Sequence, residues 1–214
     1  MKIFGAIRDL RFLLDRGYPR ASAVNFVSNH YRLPAKDRHL LTRCVFSGQE
    51  VRRHQAKAVG KTAVKGKKLG VDGYNVLITV EGILLGRKLI RCDDGFIRDL
   101  RAIFGKYRMS SAASRALRVI LDEILEAKPQ EAVLMFDKQV SRSGELAALA
   151  RTMLNQRGIK GGAKAVSGVD LKLGNFEVVA SSDRAVIEKA RAVWDIPAEV
   201  LKKRRAKFLD LTKV

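Results

Sequence analysis

Three short apolar runs in this chain lead into an aspartate: Leu69 to Val71 into Asp72, Ala132 to Phe136 into Asp137, and Phe176 to Ala180 through Ser181 and Ser182 into Asp183. Carboxylates gathered in one place raise one another's pKa unless a cation offsets them, and hard divalent ions held by oxygen are the usual answer. Such an ion activates water and offsets charge on a departing oxygen, so a phosphodiester can be hydrolysed without a nucleophilic side chain. Taken singly, an aspartate at a strand end is also a good N-cap for the next helix. That explanation suits Asp183, because 184–192 reads as helix. It suits Asp137 less, since Lys138, Gln139 and Val140 intervene and Ser141 or Ser143 could cap instead. Asp72 is not needed as a cap, with Gly73 expected to give a turn and Asn75 able to cap.

The elements that must position these acids follow from periodicity. The three apolar runs have the length of buried strands, and helical patterns lie between them: Phe96 to Tyr107, Ala116 to Leu125, Leu146 to Leu154 and Ala185 to Ala192. Alternation of strand and helix predicts a parallel sheet flanked by helices, and the carboxyl ends of such strands open on a shared crevice. Val76 to Cys92 reads either as a helix followed by a turn or as a hairpin turning at Gly86. Before all this, Ile3, Ile7, Leu10 and Leu14, then Ala21, Val24 and Val27, then Leu40, Leu41, Cys44 and Val45 recur at helical spacing. Three or four short helices are expected there, broken at Gly17 with Pro19 and at Pro34. The expected organisation is a small basic all-α domain over 1–66 and an α/β domain over 67–214.

Charge points to the partner. Across 214 residues, 42 Lys+Arg oppose 22 Asp+Glu for a net +20, and residues 1–70 alone carry 16 and 4, a net +12. That balance suits a polyanion, RNA first, while DNA also satisfies it. The longest apolar runs are five residues, against roughly 20 for a membrane span, and no secretory leader core follows Met1-Lys2-Ile3-Phe4. No membrane association is expected. Cys44 and Cys92 are too few for a disulfide framework or a zinc site, which suits a reducing cytoplasm.

The string Val71-Asp72-Gly73-Tyr74-Asn75-Val76 resembles the opening motif of the PIN-like nuclease superfamily, especially its NYN branch. Phe136-Asp137 and Ser181-Ser182-Asp183-Arg184-Ala185 resemble its central and late acidic motifs, and Asp170 in Ser167-Gly168-Val169-Asp170 its remaining acid. The resemblance runs from about Lys67 to Trp194 and implies a Rossmann-like PIN-type parallel sheet with flanking helices, whose acids bind Mg²⁺ or Mn²⁺ and hydrolyse RNA. The whole chain also resembles an uncharacterised prokaryotic family that joins a basic helical domain to a PIN-like domain. Arg16-Gly17-Tyr18-Pro19, Cys92-Asp93-Asp94-Gly95-Phe96-Ile97-Arg98-Asp99 and Ser141-Arg142-Ser143-Gly144-Glu145-Leu146-Ala147 carry that likeness. A further acid that PIN-like nucleases place on an early helix has Glu81, Asp93 and Asp94 as competing counterparts.

On this reading Asp72, Asp137, Asp170 and Asp183 are the metal ligands, and Asn75 holds a carboxylate or a water in place. Ser182 either orients a phosphate or caps a helix, and one of Asp93 and Asp94 caps a helix expected after Gly95. Lys138, Arg142 and Arg184 are placed to steady a phosphate, with solvated surface charge as the alternative. Arg52, Arg53, Lys57 and Lys61 supply backbone contacts to RNA. Core positions are expected for Tyr18, Tyr31 and Phe46, with base stacking as the other option, and surface or capping positions for His30, His39 and His54. Gly60-Lys61-Thr62 is not a nucleotide-binding loop, because Gln55 stands where a glycine is required. The function expected is metal-dependent endoribonuclease, a hydrolase; the alternative is a non-catalytic RNA-binding protein that retains the fold. A homodimer is left open.

Overall fold

The apolar stripe Ala6, Ile7, Leu10 and Leu14 forms one buried face of α1 (Lys2–Asp15), as its helical spacing requires. A computed structural model of the chain describes residues 2–100 and 111–214. After α1 come α2 (Arg20–His30), α3 (Ala35–Cys44) and α4 (Gly48–Lys57), separated near Gly17 and Pro34 where breaks were expected. Then follow β1 (Ala58–Val59), β2 (Lys68–Asp72), α5 (Gly73–Leu84), β3 (Leu89–Arg91), β4 (Ile97–Asp99), α6 (Ser111–Ala127), β5 (Glu131–Asp137) and α7 (Ser143–Gln156). The rest is β6 (Gly161–Val166), α8 (Val169–Leu173), β7 (Val178–Ala180), α9 (Arg184–Lys189), β8 (Val193–Trp194), α10 (Ile196–Arg204) and β9 (Phe208–Asp210).

The described residues form two compact units. One holds 2–56, 88–100 and 208–214, and the other 57–87 and 111–207. In the first, α1 to α3 pack around Ile7, Leu10, Val27, Leu41 and Cys44, with Ile90 of β3 in the same core. Its small sheet runs β4-β3-β9, antiparallel between β4 and β3 and parallel between β3 and β9. The segment after Asp94 is therefore a turn at Gly95 and a strand, not the start of a helix, and 101–107 of the expected helix lies outside the described residues.

The second unit is α/β, with a six-stranded sheet in the order β1-β8-β7-β2-β5-β6 and every pairing parallel. β2 is central, pairing with β5 from Lys68↔Glu131 to Asp72↔Met135 and with β7 from Leu69↔Val178 to Val71↔Ala180. The chain passes from β2 to β5 and β6 on one side, then crosses back to β7 and β8 on the other. The strand order reverses between β2 and β7, which makes that pair the topological switch point of a doubly wound sheet. Helix α5 is buried nearly all round, through Val76, Leu77, Thr79, Val80 and Ile83, because it packs against β2, β5, α6 and α10. It is the helix alternative for Val76 onward that forms, ending in a turn at Gly86, where φ is 63°.

Two glycines let these layers close. A Cβ on Gly70 would lie 2.7 Å from the Phe176 ring and 2.9 Å from Leu173 of α8, so this bare position admits α8 against β2. Gly73 opens α5 instead of making a turn, and a Cβ there would meet the Phe136 ring at 2.5 Å and the Met135 carbonyl at 2.7 Å. Alanine at either position should lower unfolding free energy in urea by about 1–3 kcal/mol. Unchanged denaturation midpoints for both variants would contradict this packing.

Candidate functional site at the β2 and β7 strand ends

Parallel pairing brings the last residue of β2 beside the residue after β7. Asp72 thereby receives a hydrogen bond from the Ser181 hydroxyl, 2.9 Å from Oδ2, and a longer one from the Asn75 amide, 3.4 Å from Oδ1. Asp72 therefore does act as the N-cap of α5, although Gly73 and Asn75 were expected to make that unnecessary. Asn75 does not cap: its Oδ1 accepts from the Ser182 amide at 2.8 Å and the Ser182 hydroxyl at 3.0 Å, tying α5 to the β7–α9 loop. The Ser181 hydroxyl also accepts from the Asp183 amide at 3.0 Å. One serine thus links two of the expected acids.

Electrostatics single out Asp72. Its carboxyl is pushed up to about 7, first by burial and then by the negative charges of Asp183 and Asp170, against the lowering effect of the Ser181 and Asn75 hydrogen bonds. Both hydrogen-bond donors are neutral. Strand alternation accounts for part of the grouping, because Gly70 and Asp72 share a face and α8, seated over Gly70, carries Asp170.

The other acids have local duties as well. Asp183 caps α9 through the Ala185 and Val186 amides at 2.9 and 3.3 Å, as its position before a helix suggested. Asp170 pairs with Lys189 at 2.7 Å, and that hydrogen bond holds its carboxyl below the usual range. Asp137 ends β5, where its Oδ1 accepts from the Gln139 amide at 2.9 Å. Its charge acts on Tyr74, whose phenol is pushed up to about 12 by burial and by Asp137, and whose ring meets Phe136 edge-on at 5.3 Å. Helix α7 starts without a side-chain cap: Arg142 is the N-cap, at φ 63°, so neither Ser141 nor Ser143 takes that role. Glu81 is buried on α5. Among the described residues, no three or more His, Cys, Asp and Glu side chains are gathered so as to hold a metal ion.

Residues 61–199 match the family described as Domain of unknown function (DUF5616), and residues 2–57 match Protein of unknown function (DUF434). The chain belongs to the DUF5616 family. Uncharacterized protein MJ0935 of Methanocaldococcus jannaschii is 37% identical over 203 residues, which cover 94% of this chain and 97% of that one. No solved structure matches the chain.

Several cations of this DUF5616 protein have intramolecular partners. Lys57 donates to the Ile187 and Glu188 carbonyls at 3.0 and 2.6 Å, closing the last turn of α9. Lys61 pairs with Glu123 and Glu126 of α6 at 2.5 and 2.7 Å, and Lys203 of α10 meets the same two acids at 2.6 and 2.8 Å. Arg142 pairs with Glu145 at 2.6 Å, and Arg184 stands 3.7 Å from Glu188. Arg52, Arg53 and Lys138 are exposed. In the first unit, Asp94 is buried and held by Arg98 through two bonds of 2.7 Å and by His54 at 2.8 Å, so His54 is a buried partner and not a surface group. Asp93 is clasped by Arg11 at 2.6 and 3.0 Å and accepts from the Phe46 amide at 3.0 Å. Neither Asp93 nor Asp94 caps a helix. No helix among the described residues is long and apolar enough to cross a membrane.

Ser181 and Tyr74 had no role in the sequence reading, although both stand inside its motifs. The unfolded carboxyl of Asp72 ionises near 3.8, while the folded one keeps its proton to about 7. This group therefore costs nothing at low pH and weakens the fold as pH climbs from 4 through 7. In chelator-containing buffer, Asp72→Asn should be more stable than the parent by about 2–4 kcal/mol at pH 8, and the gain should vanish near pH 4. Urea denaturation across that range measures it, and a pH-independent difference would contradict the burial and charge described.

Proposed function

We propose that the DUF5616 domain is a PIN-like, NYN-like nuclease domain that hydrolyses RNA with Mg²⁺ or Mn²⁺. One observation carries this reading: a half-buried carboxylate at the switch point, raised to about 7 with two further acids contributing, has neutral hydrogen-bond donors alone among the described residues. A hard divalent cation fits that donor chemistry, and Mg²⁺ is commonly held by one or two carboxylates with water completing its shell. Asp72 is its first ligand, and Asp183, Asp170 and Asp137 are the further acids through which it is held directly or through water. Such an ion supplies Lewis acidity toward a phosphodiester and toward the attacking water. Ser181 fixes the Asp72 carboxylate, and Asn75 holds the Ser182 loop so that Asp183 stays at the crevice. Lys138, exposed just past Asp137, and Arg184 at the start of α9 are the cations at these strand ends for phosphate oxygens. The +20 charge supports RNA as the polyanion and a cytoplasmic setting suits it.

A second reading, a non-catalytic RNA-binding protein on the same fold, is favoured by the engagement of Asp170 with Lys189 and of Asp183 with α9. It is also favoured by the lack of a preformed group of three ligands among the described residues.

Incubation of a cellular RNA pool with the full chain separates the two. Cleavage should require Mn²⁺ or Mg²⁺, stop with chelator, and fall at least about 100-fold in Asp72→Asn and Asp137→Asn. Equal cleavage by parent and variants would refute the nuclease reading, and RNA binding without cleavage by any of them would establish the second.

A further inference from the structure

Large rings left at a helix surface call for a partner, and α1 carries them in an ordered series. Phe4, Arg8, Phe12 and Arg16 recur at four-residue steps, which places them along one side of the helix or its immediate exit. All four are exposed, Phe4 by 41% and Phe12 by 53%, while Ala6, Ile7, Leu10 and Leu14 fill the core. The Arg16 guanidinium sits 3.4 Å from the Phe12 ring centroid, a cation–π contact that presents a flat, charged surface. On α2, Phe26 is 67% exposed and lies nearly parallel to His30, at 12° with centroids 6.5 Å apart. The two helices are locked together, because Tyr31 donates to Asp9 at 2.7 Å and its hydroxyl lies where a side chain on Gly5 would stand, 2.9 Å from such a Cβ.

We infer that the α1 and α2 surface is a stacking platform for single-stranded RNA, with bases on Phe12 and Phe26 and phosphates met by Arg8 and Arg16. Sequence-tolerant single-strand binders combine these two elements, exposed rings and interleaved cations along a backbone track. The charge argues against the other occupants of an aromatic surface. Residues 2–56, which hold α1 and α2 in the first unit, carry 11 Lys+Arg against 4 Asp+Glu, a net +7, so two copies meeting through this region repel. A membrane-lying helix needs an unbroken apolar face, and here an arginine follows every ring of α1. This inference takes its partner from the RNA reading above but none of the catalysis. Phe46 is buried as expected and cannot stack on a base, Tyr18 is exposed where a core position was expected, and the rings of this platform, Phe12 and Phe26, stand outside the expected set.

Fluorescence anisotropy of a labelled single-stranded RNA of about 12 nucleotides tests it, using the full chain carrying Asp72→Asn so that no cleavage interferes. Phe12→Ala and Phe26→Ala should each weaken binding about tenfold, Phe12→Tyr should retain it, and Arg8→Gln with Arg16→Gln should lower the salt slope by about 2. Matching circular dichroism melts are expected, because both rings stand in solvent. Parent affinity in the two alanine variants would overturn the inference, as would a parent that binds no RNA. Light scattering showing a dimer that dissociates on Phe12→Ala would overturn it too, by making the patch a self-association surface. Ring-dependent binding beside an absence of any metal-dependent cleavage in the wild type leaves this inference standing and removes the nuclease reading. Cleavage with ring-independent binding does the opposite.

Discussion

Parallel pairing of β2 with β5 on one side and β7 on the other is the constraint on which the rest of the second unit depends. It forces the chain to cross from β6 back over the sheet, so the connections on the two sides of β2 leave in opposite directions. In open α/β sheets such a reversal leaves room for a ligand at the carboxyl ends of the two strands without any special loop. Whatever residue ends β2 will sit beside whatever follows β7. Here these are a carboxylate and a serine, and the serine hydroxyl is shared between Asp72 and the Asp183 amide. Gly70 and Gly73 serve the same constraint, since α8 and Phe136 occupy the space their side chains would take.

The first unit is held by a different means. Its β3–β4 turn offers Asp93 and Asp94, each held by an arginine, and Asp94 by His54 as well. Charges buried this thoroughly gain little net stability over an apolar core, but each is costly to leave unpaired. Through these contacts the turn is tied to Arg11 of α1 and His54 of α4.

Much of the α/β core was readable in the residues. Leu69 to Val71 and Ala132 to Phe136 lie within buried parallel strands, and 146–154 lies within a helix, because uninterrupted apolar runs and 3.6-residue periodicity leave few alternatives. Other elements were not readable. Gly161 to Val166 has two glycines and a lysine, yet forms β6 because β5 offers it six partners in register. Phe176 was read as strand but stands beyond it, packed at Gly70. The helix expected over 185–192 stops at Lys189, where the chain turns to place Val193 and Trp194 in β8. Short strands of two or three residues carry no pattern of their own, and only the neighbouring strand makes them.

The linear order of residues sufficed for the charge, the alternation of strand and helix and the positions of the strand-end acids, since these depend on side-chain type and local period. Folding in three dimensions made Ser181 the hinge of the candidate site, coupled Asp170 to Asp72 from about a hundred residues away, and engaged Lys57 and Lys61 with neighbours inside the second unit. It also left Phe12 and Phe26 in solvent while Phe46 went to the core. Burial, ion pairing and a shifted pKa are set by neighbours distant in sequence, and strand register and helix packing choose those neighbours.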